Sequence, residues 1–149
     1  MKALIQRVTE AAVTIEHMRR REIGAGFAIL LGVGTQDTED DALWLASKTA
    51  KLRIFSNDEG KFDLSLADVG GEALVVSQFT LYGDCTNGSR PDFTAAARPE
   101  QAEKLYKTYI SALKQEGIHV KTGEFGAHMD VEIHNDGPVT IMLERTNGQ

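Results

Sequence analysis

The stretch VVSQFTLYGD, residues 75–84, changes character abruptly: a run of Leu and Val gives way to Ser77, Gln78 and Thr80. Polar groups at the end of an apolar strand must find hydrogen-bond partners, because a buried donor or acceptor left unpaired costs roughly 1–3 kcal/mol. Two readings meet that demand and both stay open: these side chains bond neighbouring backbone, or they face a ligand at the strand end. Thr80 as a nucleophile would need a base close by, and none stands in this stretch. The other reactive types are scattered. His17, His119, His128 and His134 lack metal-ligand spacing, and the single cysteine, Cys85, offers them no thiolate pair. No carboxylate pair stands out among the 22 acidic residues. A P-loop, a G-x-S-x-G elbow and a G-x-G-x-x-G turn are all missing from the sequence. Neither a metal nor a cofactor is expected.

The elements that must position these groups follow from periodicity. Ala3, Ile5, Val8, Val13 and Ile15 predict strands through residues 2–16, followed by a strand pair in REIG and FAILLGVG. The basic run Arg19-Arg20-Arg21 falls between two strands and is expected to be a solvated turn. Thr38 is an N-cap candidate with Asp40 and Asp41 in the first turn, and Leu43, Ala46, Ala50 and Ile54 predict a helix to about Arg53. EALVVSQFTLYG reads as one strand. Pro99 suits the first turn of a second helix, with Ala102, Leu105, Tyr106, Tyr109, Ile110 and Leu113 as its apolar stripe and Gly117 as its stop. Near the C-terminus, Met129, Val131 and Ile133 alternate with polar residues, and so do Val139, Ile141 and Leu143. Asn135-Asp136-Gly137-Pro138 between them are turn formers and predict a closing hairpin. The proline is unexpected there, since it removes a ladder amide and stiffens the turn. The whole predicts one compact α/β domain over residues 1–149, with a mixed, largely antiparallel, barrel-like sheet and two main helices.

Bulk properties narrow the class of function. The 149 residues suffice for one domain with a sizeable core, and 42% hydrophobic with 26% charged residues is ordinary for a globular protein. A net charge of -6 gives no global basic footprint, although 16 Lys and Arg can still cluster on one face. One cysteine excludes an intrachain disulfide and points to a reducing compartment. MKALIQRVTE has no secretory pattern, and the longest uncharged stretch is shorter than the roughly 20 residues a membrane helix needs. A soluble, cytoplasmic protein without membrane contact is expected.

Three longer motifs carry a resemblance. VVSQFTLYGD, then RPDFTAAA, then FGAHMDVEIHNDGPVT are similar to the signature segments of the D-aminoacyl-tRNA deacylases, and MKALIQRVTEAAV resembles the family's opening, so the likeness runs nearly end to end. In CTNGSRP, Asn87 stands where the family pattern carries a lysine, with Arg90 the nearest basic group. The resemblance implies a homodimeric hydrolase that cuts the ester between a D-amino acid, or glycine, and the 3′ end of tRNA, as part of translation quality control. It implies that the Gly137-Pro138 peptide is cis and enters the partner subunit's active site to reject L-amino acids. It places the terminal adenosine near Ser77, Gln78, Phe79 and Thr80, with backbone amides there stabilising the oxyanion. Ala102 and Met129 match positions lining the pocket, and the RNA's own 2′-hydroxyl is implied as the activator of water. The alternatives are a tRNA 3′-end binding or editing module without turnover, and an unrelated acidic interaction protein.

Overall fold

A computed structural model of the chain describes residues 1–146. Along the chain run β1 (Lys2–Ile15), β2 (Arg19–Ile23), β3 (Gly26–Gly32), α1 (Glu39–Lys51), β4 (Phe55–Ser56), β5 (Phe62–Leu64), β6 (Glu72–Ser77), α2 (Pro99–Gln115), β7 (His119–Thr122) and β8 (Met129–Glu144). The main sheet has the order β2-β1-β3-β6-β7, with β8 paired to β1, and β4 and β5 form a separate small ribbon. Strand β1 is antiparallel to β3 along Lys2–Val8 and to β2 along Ala11–Ile15, and β8 runs antiparallel to its whole length. Strands β3, β6 and β7 are parallel, with α1 and α2 in the two crossovers. The sheet curls until its far strands nearly meet. Across that seam the Arg21 guanidinium donates to the Thr122 carbonyl at 2.8 Å and Lys121 Nζ donates to the Glu22 carbonyl at 2.7 Å.

The helices start where local chemistry dictates. Thr38 and Asp41 form a reciprocal capping box, each side chain accepting the other's backbone N–H. Pro99 occupies the first turn of α2, and Gly117 ends that segment with φ +86°. The α2 stripe is buried as its spacing predicts. On α1 the buried face is Ala42, Leu45, Ala46, Thr49 and Ala50, so Leu43 points outward and Ile54 lies beyond the helix end.

Two cores share the sheet. Phe27, Ile29 and Leu31 of β3 and Ala73 and Val75 of β6 pack toward the helices, whereas Ala28, Leu74 and Val76 point into the barrel. That alternation is the two-residue period of a strand. Strand β8 breaks it. Met129, Val131 and Ile133 pack on the barrel core, yet Val139, Ile141 and Leu143, of the same parity, pack on the helix-side core. The swap occurs at Asn135–Val139, where β8 takes five residue steps while β1 takes two, from Asn135↔Val8 to Thr140↔Gln6.

This corrects the expected closing hairpin. The two alternating runs pair with one long neighbour, not with each other, and Asn135-Asp136-Gly137-Pro138 is a bulge within a single strand. The Gly137-Pro138 peptide is cis, and Gly137 has φ +139°. Two further expectations change. The basic run is strand β2 itself, the turn being Glu16–Met18, and β6 ends at Ser77, after which Phe79–Tyr82 coil into a 3-10 turn.

Candidate active site

Leaving β6, the chain makes one more ladder bond, Gln78 N–H to the Leu31 carbonyl at 2.8 Å, and then turns. Two glycines of β3 and its continuation make room. A Cβ on Gly32 would sit 3.0 Å from the Gln78 carbonyl oxygen, and one on Gly34 would press on the Tyr82 ring at 3.0 Å. The 3-10 turn is held from below: Lys2 Nζ donates to the Leu81 carbonyl at 3.3 Å, and the Tyr82 hydroxyl donates to Asp37 at 3.4 Å. Asp37 is buried, accepts the Gly34 N–H at 2.6 Å and pairs with the Met1 ammonium at 2.7 Å. Burial and the Asp37 charge push the Tyr82 hydroxyl well above its ordinary pKa, so it stays a neutral donor. Phe79 and Thr80 open the 3-10 turn, where the leading N–H groups have no partner inside the turn.

A cleft of ≈ 690 Å³ opens beside this turn, in the range of small-ligand sites. Its walls come from five segments: Val33 just past β3, Val76–Phe79, Phe93 with Ala96 and Ala97, Pro99 with Ala102 at the start of α2, and Phe125–Met129 with Val131. Of the residues that sequence singles out, Ser77, Gln78, Phe79, Ala102 and Met129 meet here. Thr80 lies outside the lining. Its hydroxyl accepts a hydrogen bond from the Gln78 amide and is exposed. Sequence reasoning misses Phe93, Phe125 and His128, although the RPDFTAAA and FGAHM segments contain them.

The Phe125–Met129 wall has no strand ladder of its own until β8 begins. The β1–β2 hairpin supports it instead. Glu16 exchanges two hydrogen bonds with the His128 backbone, at 2.9 and 3.0 Å, and the His17 and His128 rings lie 4.9 Å apart. Arg19 pairs with Glu124, and Arg21 holds the Thr122 carbonyl. From inside, Tyr106 packs its ring 5.9 Å from Phe125 and donates to the Val75 carbonyl at 3.2 Å. A Cβ on Gly123 would meet Met129 Sδ at 2.3 Å, so the Met129 thioether packs directly over this glycine.

A second groove of ≈ 570 Å³ lies at the barrel seam, lined by Arg20, Arg21, Glu22, Val120, Lys121 and Thr122. Its cations are engaged, Arg20 with Glu132, and Arg21 and Lys121 with the seam carbonyls. Among the described residues no group of three or more His, Cys, Asp or Glu could hold a metal. His119 and His134 stand apart, facing Glu72 and Glu10 at 3.5 Å each. No described helix is long and apolar enough to cross a membrane.

The family model described as D-Tyr-tRNA(Tyr) deacylase matches residues 4–144. The chain belongs to that family. A D-aminoacyl-tRNA deacylase of Thermus aquaticus is 54% identical over 144 residues, covering 97% of this chain and 95% of that protein. One from Dehalococcoides mccartyi is 55% identical over 144 residues, with 97% and 94% covered. Among solved structures, a c-Myc DNA Unwinding Element Binding Protein superposes with a TM-score of 0.89 at 41% identity, covering 97% of this chain and 99% of that one.

Within this deacylase-family chain, Gly137-Pro138 does not line its own cleft. Asp136, Gly137 and Pro138 are exposed and project as the bulge. The bulge is nevertheless pinned. Asn135 clasps the far side, its Oδ1 accepting from Val139 N–H at 2.7 Å and its amide donating to the Val139 carbonyl at 3.2 Å. Arg7 spans the base: Nε donates to the Asp136 carbonyl at 3.0 Å and Nη1 to the Ile54 carbonyl at 2.8 Å. Its guanidinium also lies over the exposed Phe62 ring, 5.7 Å from the centroid.

Proposed function

We propose that this protein hydrolyses the ester linking a D-amino acid, or glycine, to the 3′-terminal adenosine of tRNA, releasing free amino acid and tRNA. The observation that carries the reading is the family match over residues 4–144, joined to a cleft built around Ser77, Gln78 and Phe79. In this reading the adenosine occupies the cleft, with Ala102 and Met129 against it. The amides of Phe79 and Thr80 stabilise the oxyanion; losing one such donor typically costs ~10²–10³ in rate. Water is activated by the RNA's 2′-hydroxyl, in keeping with a Thr80 hydroxyl that lies outside the cleft lining and bonds the Gln78 amide. The enzyme acts in the cytoplasm, where tRNA is charged.

Chirality is read by main chain. A homodimer in which each bulge enters the other subunit's cleft gives the projecting Gly137-Pro138 a role, and the exposed Phe62 beside it an apolar partner. A wall of backbone tolerates the hydrogen of a D-amino acid's α-carbon and clashes with the side chain of the L form. Backbone suits the task because it cannot swing aside as a rotamer does, and glycine passes because it has nothing to reject. The penalty falls on the wrong enantiomer and adds no affinity for the right one.

The deciding experiment is incubation with D-Tyr-tRNA and L-Tyr-tRNA at catalytic protein concentrations. Release from the D form alone is expected. Binding without release would leave a tRNA 3′-end module, and release from both would remove the chirality filter.

A further inference from the structure

The mouth of the cleft carries two aromatic rings that the adenosine reading does not use in full. Phe79 and Phe93 stand edge to face, with centroids 5.0 Å apart and planes at 70°, and they remain 54% and 36% exposed. Apolar rings left in water beside a binding cleft mark a docking surface for whatever continues out of it. The segment holding Phe93 is well fixed. Asp84 and Asp92 exchange backbone hydrogen bonds at 2.8 Å, Ala97 N–H bonds the Val33 carbonyl at 2.9 Å, and a Cβ on Gly83 would meet the Phe93 ring at 3.1 Å. The ring is presented, not dangling.

Charge on the same segment is also uncommitted. Arg7, Arg19, Arg20, Arg21, Arg53 and Arg145 each engage their guanidinium in an ion pair or a hydrogen bond. Among the described residues, Arg90 and Arg98 alone of the arginines have neither. They bracket Pro91–Ala97, the stretch that carries Phe93, and Arg98 immediately precedes cleft-lining Pro99. In an acidic protein, two exposed guanidiniums flanking the segment that carries Phe93 are complementary to a phosphodiester-linked base.

We infer that Phe79, Phe93, Arg90 and Arg98 form a subsite for the nucleotide immediately preceding the terminal adenosine. The unpaired base stacks on the Phe93–Phe79 lip, and the phosphate joining it to the adenosine meets the guanidiniums. Stacking on an aromatic ring accepts any base, while tRNA supplies a cytosine at this position. The inference rests on the adenosine occupying the cleft and adds a second point of attachment at its mouth.

The test compares hydrolysis of the D-tyrosyl ester of adenosine with that of cytidylyl-(3′→5′)-adenosine. The wild-type protein should favour the dinucleotide ester in kcat/KM by about 5- to 150-fold, the worth of one stacked base. In Phe93→Ala that preference should collapse, whatever happens to the adenosine ester, and Phe93→Tyr should restore it. On D-Tyr-tRNA, Arg90→Gln and Arg98→Gln should each make the salt dependence shallower, by about 0.7 in log–log slope for every phosphate no longer neutralised. An equal wild-type rate on both esters, or a preference that survives in Phe93→Ala, overturns the subsite. Turnover of neither ester by the wild-type protein overturns the adenosine reading itself, a separable failure.

Discussion

Thr80 is the residue whose chemistry most invites misreading. A threonine just past the end of a strand beside the cleft suggests a nucleophile, yet its hydroxyl lies outside the cleft lining and bonds the Gln78 amide. Thr80→Ala should therefore keep kcat within about tenfold of wild type, because the change removes one exposed hydrogen bond and leaves the backbone amide. Complete loss of single-turnover hydrolysis in a folded variant would return the nucleophile role to Thr80. Gly137 is the opposite case, a residue with no side chain that tolerates none. At φ +139° an added Cβ would lie 2.7 Å from Val139 Cγ2 and 3.2 Å from Arg7 Nη2. Gly137→Ala is expected to lower unfolding stability by about 1–3 kcal/mol and to erode the D-over-L ratio. Thermal melts and parallel D- and L-Tyr-tRNA assays check both halves. A variant of unchanged stability and selectivity would show the bulge to be soft.

At the scale of elements, the β1–β2 hairpin is a buttress for the Phe125–Met129 wall of the cleft. Arg21→Ala removes the bond to the Thr122 carbonyl just ahead of that wall. The expected outcome is a drop in kcat/KM of roughly tenfold or more, the equivalent of one charge-assisted hydrogen bond, carried mainly by KM. Faster hydrogen exchange at residues 123–129 should accompany it. An unchanged KM with native exchange rates would leave the hairpin without influence on the site. The same elements show what is legible in the sequence. Both helices are readable because caps and periodicity are local signals, and Thr38, Pro99 and Gly117 stand where they are expected, although the α1 stripe is misjudged at Leu43 and Ile54. The bulge is not. Asn-Asp-Gly-Pro between two alternating runs is equally good as a hairpin turn, and only the length of β1, more than a hundred residues away, decides between them. The cleft is half legible for the same reason. Ser77, Gln78 and Phe79 sit together in one motif, whereas Phe93, Ala102, Phe125 and His128 are assembled from separate segments by the fold.

The whole molecule ties its site to its stability through buried polar groups. Asp37 joins the Met1 ammonium, the Gly34 amide and, through Tyr82, the 3-10 turn of the site. Both members of the ion pair are fully buried, so Asp37→Asn leaves an ammonium without its counter-charge. A loss of about 3–5 kcal/mol in denaturant unfolding is expected. A loss under about 1 kcal/mol would mean that the pair is dispensable. Alkaline pH offers a second handle. Tyr106 and Tyr109 are 5% and 0% exposed, and burial pushes the Tyr106 hydroxyl up to about 12 and that of Tyr109 also upward. Unfolding returns both to about pH 10, so the unfolded chain loses protons first and stability must fall as pH rises above that value. Each tyrosine contributes at most about 1.4 kcal/mol per pH unit to the slope. Urea titrations with tyrosinate absorbance check this, and a flat profile would contradict the burial.

The inside-out strand β8 carries one last consequence, for insertions and deletions. Dropping any one residue from positions 135–138 would rotate everything downstream by half a pleat. Ile141 and Leu143 would then face water, while Thr140, Met142 and Glu144 would be driven against the helices. Chain length in this stretch is thus locked by the interior, independently of catalysis. The length of this projection is a condition of the fold itself, set by which core Ile141 and Leu143 must reach.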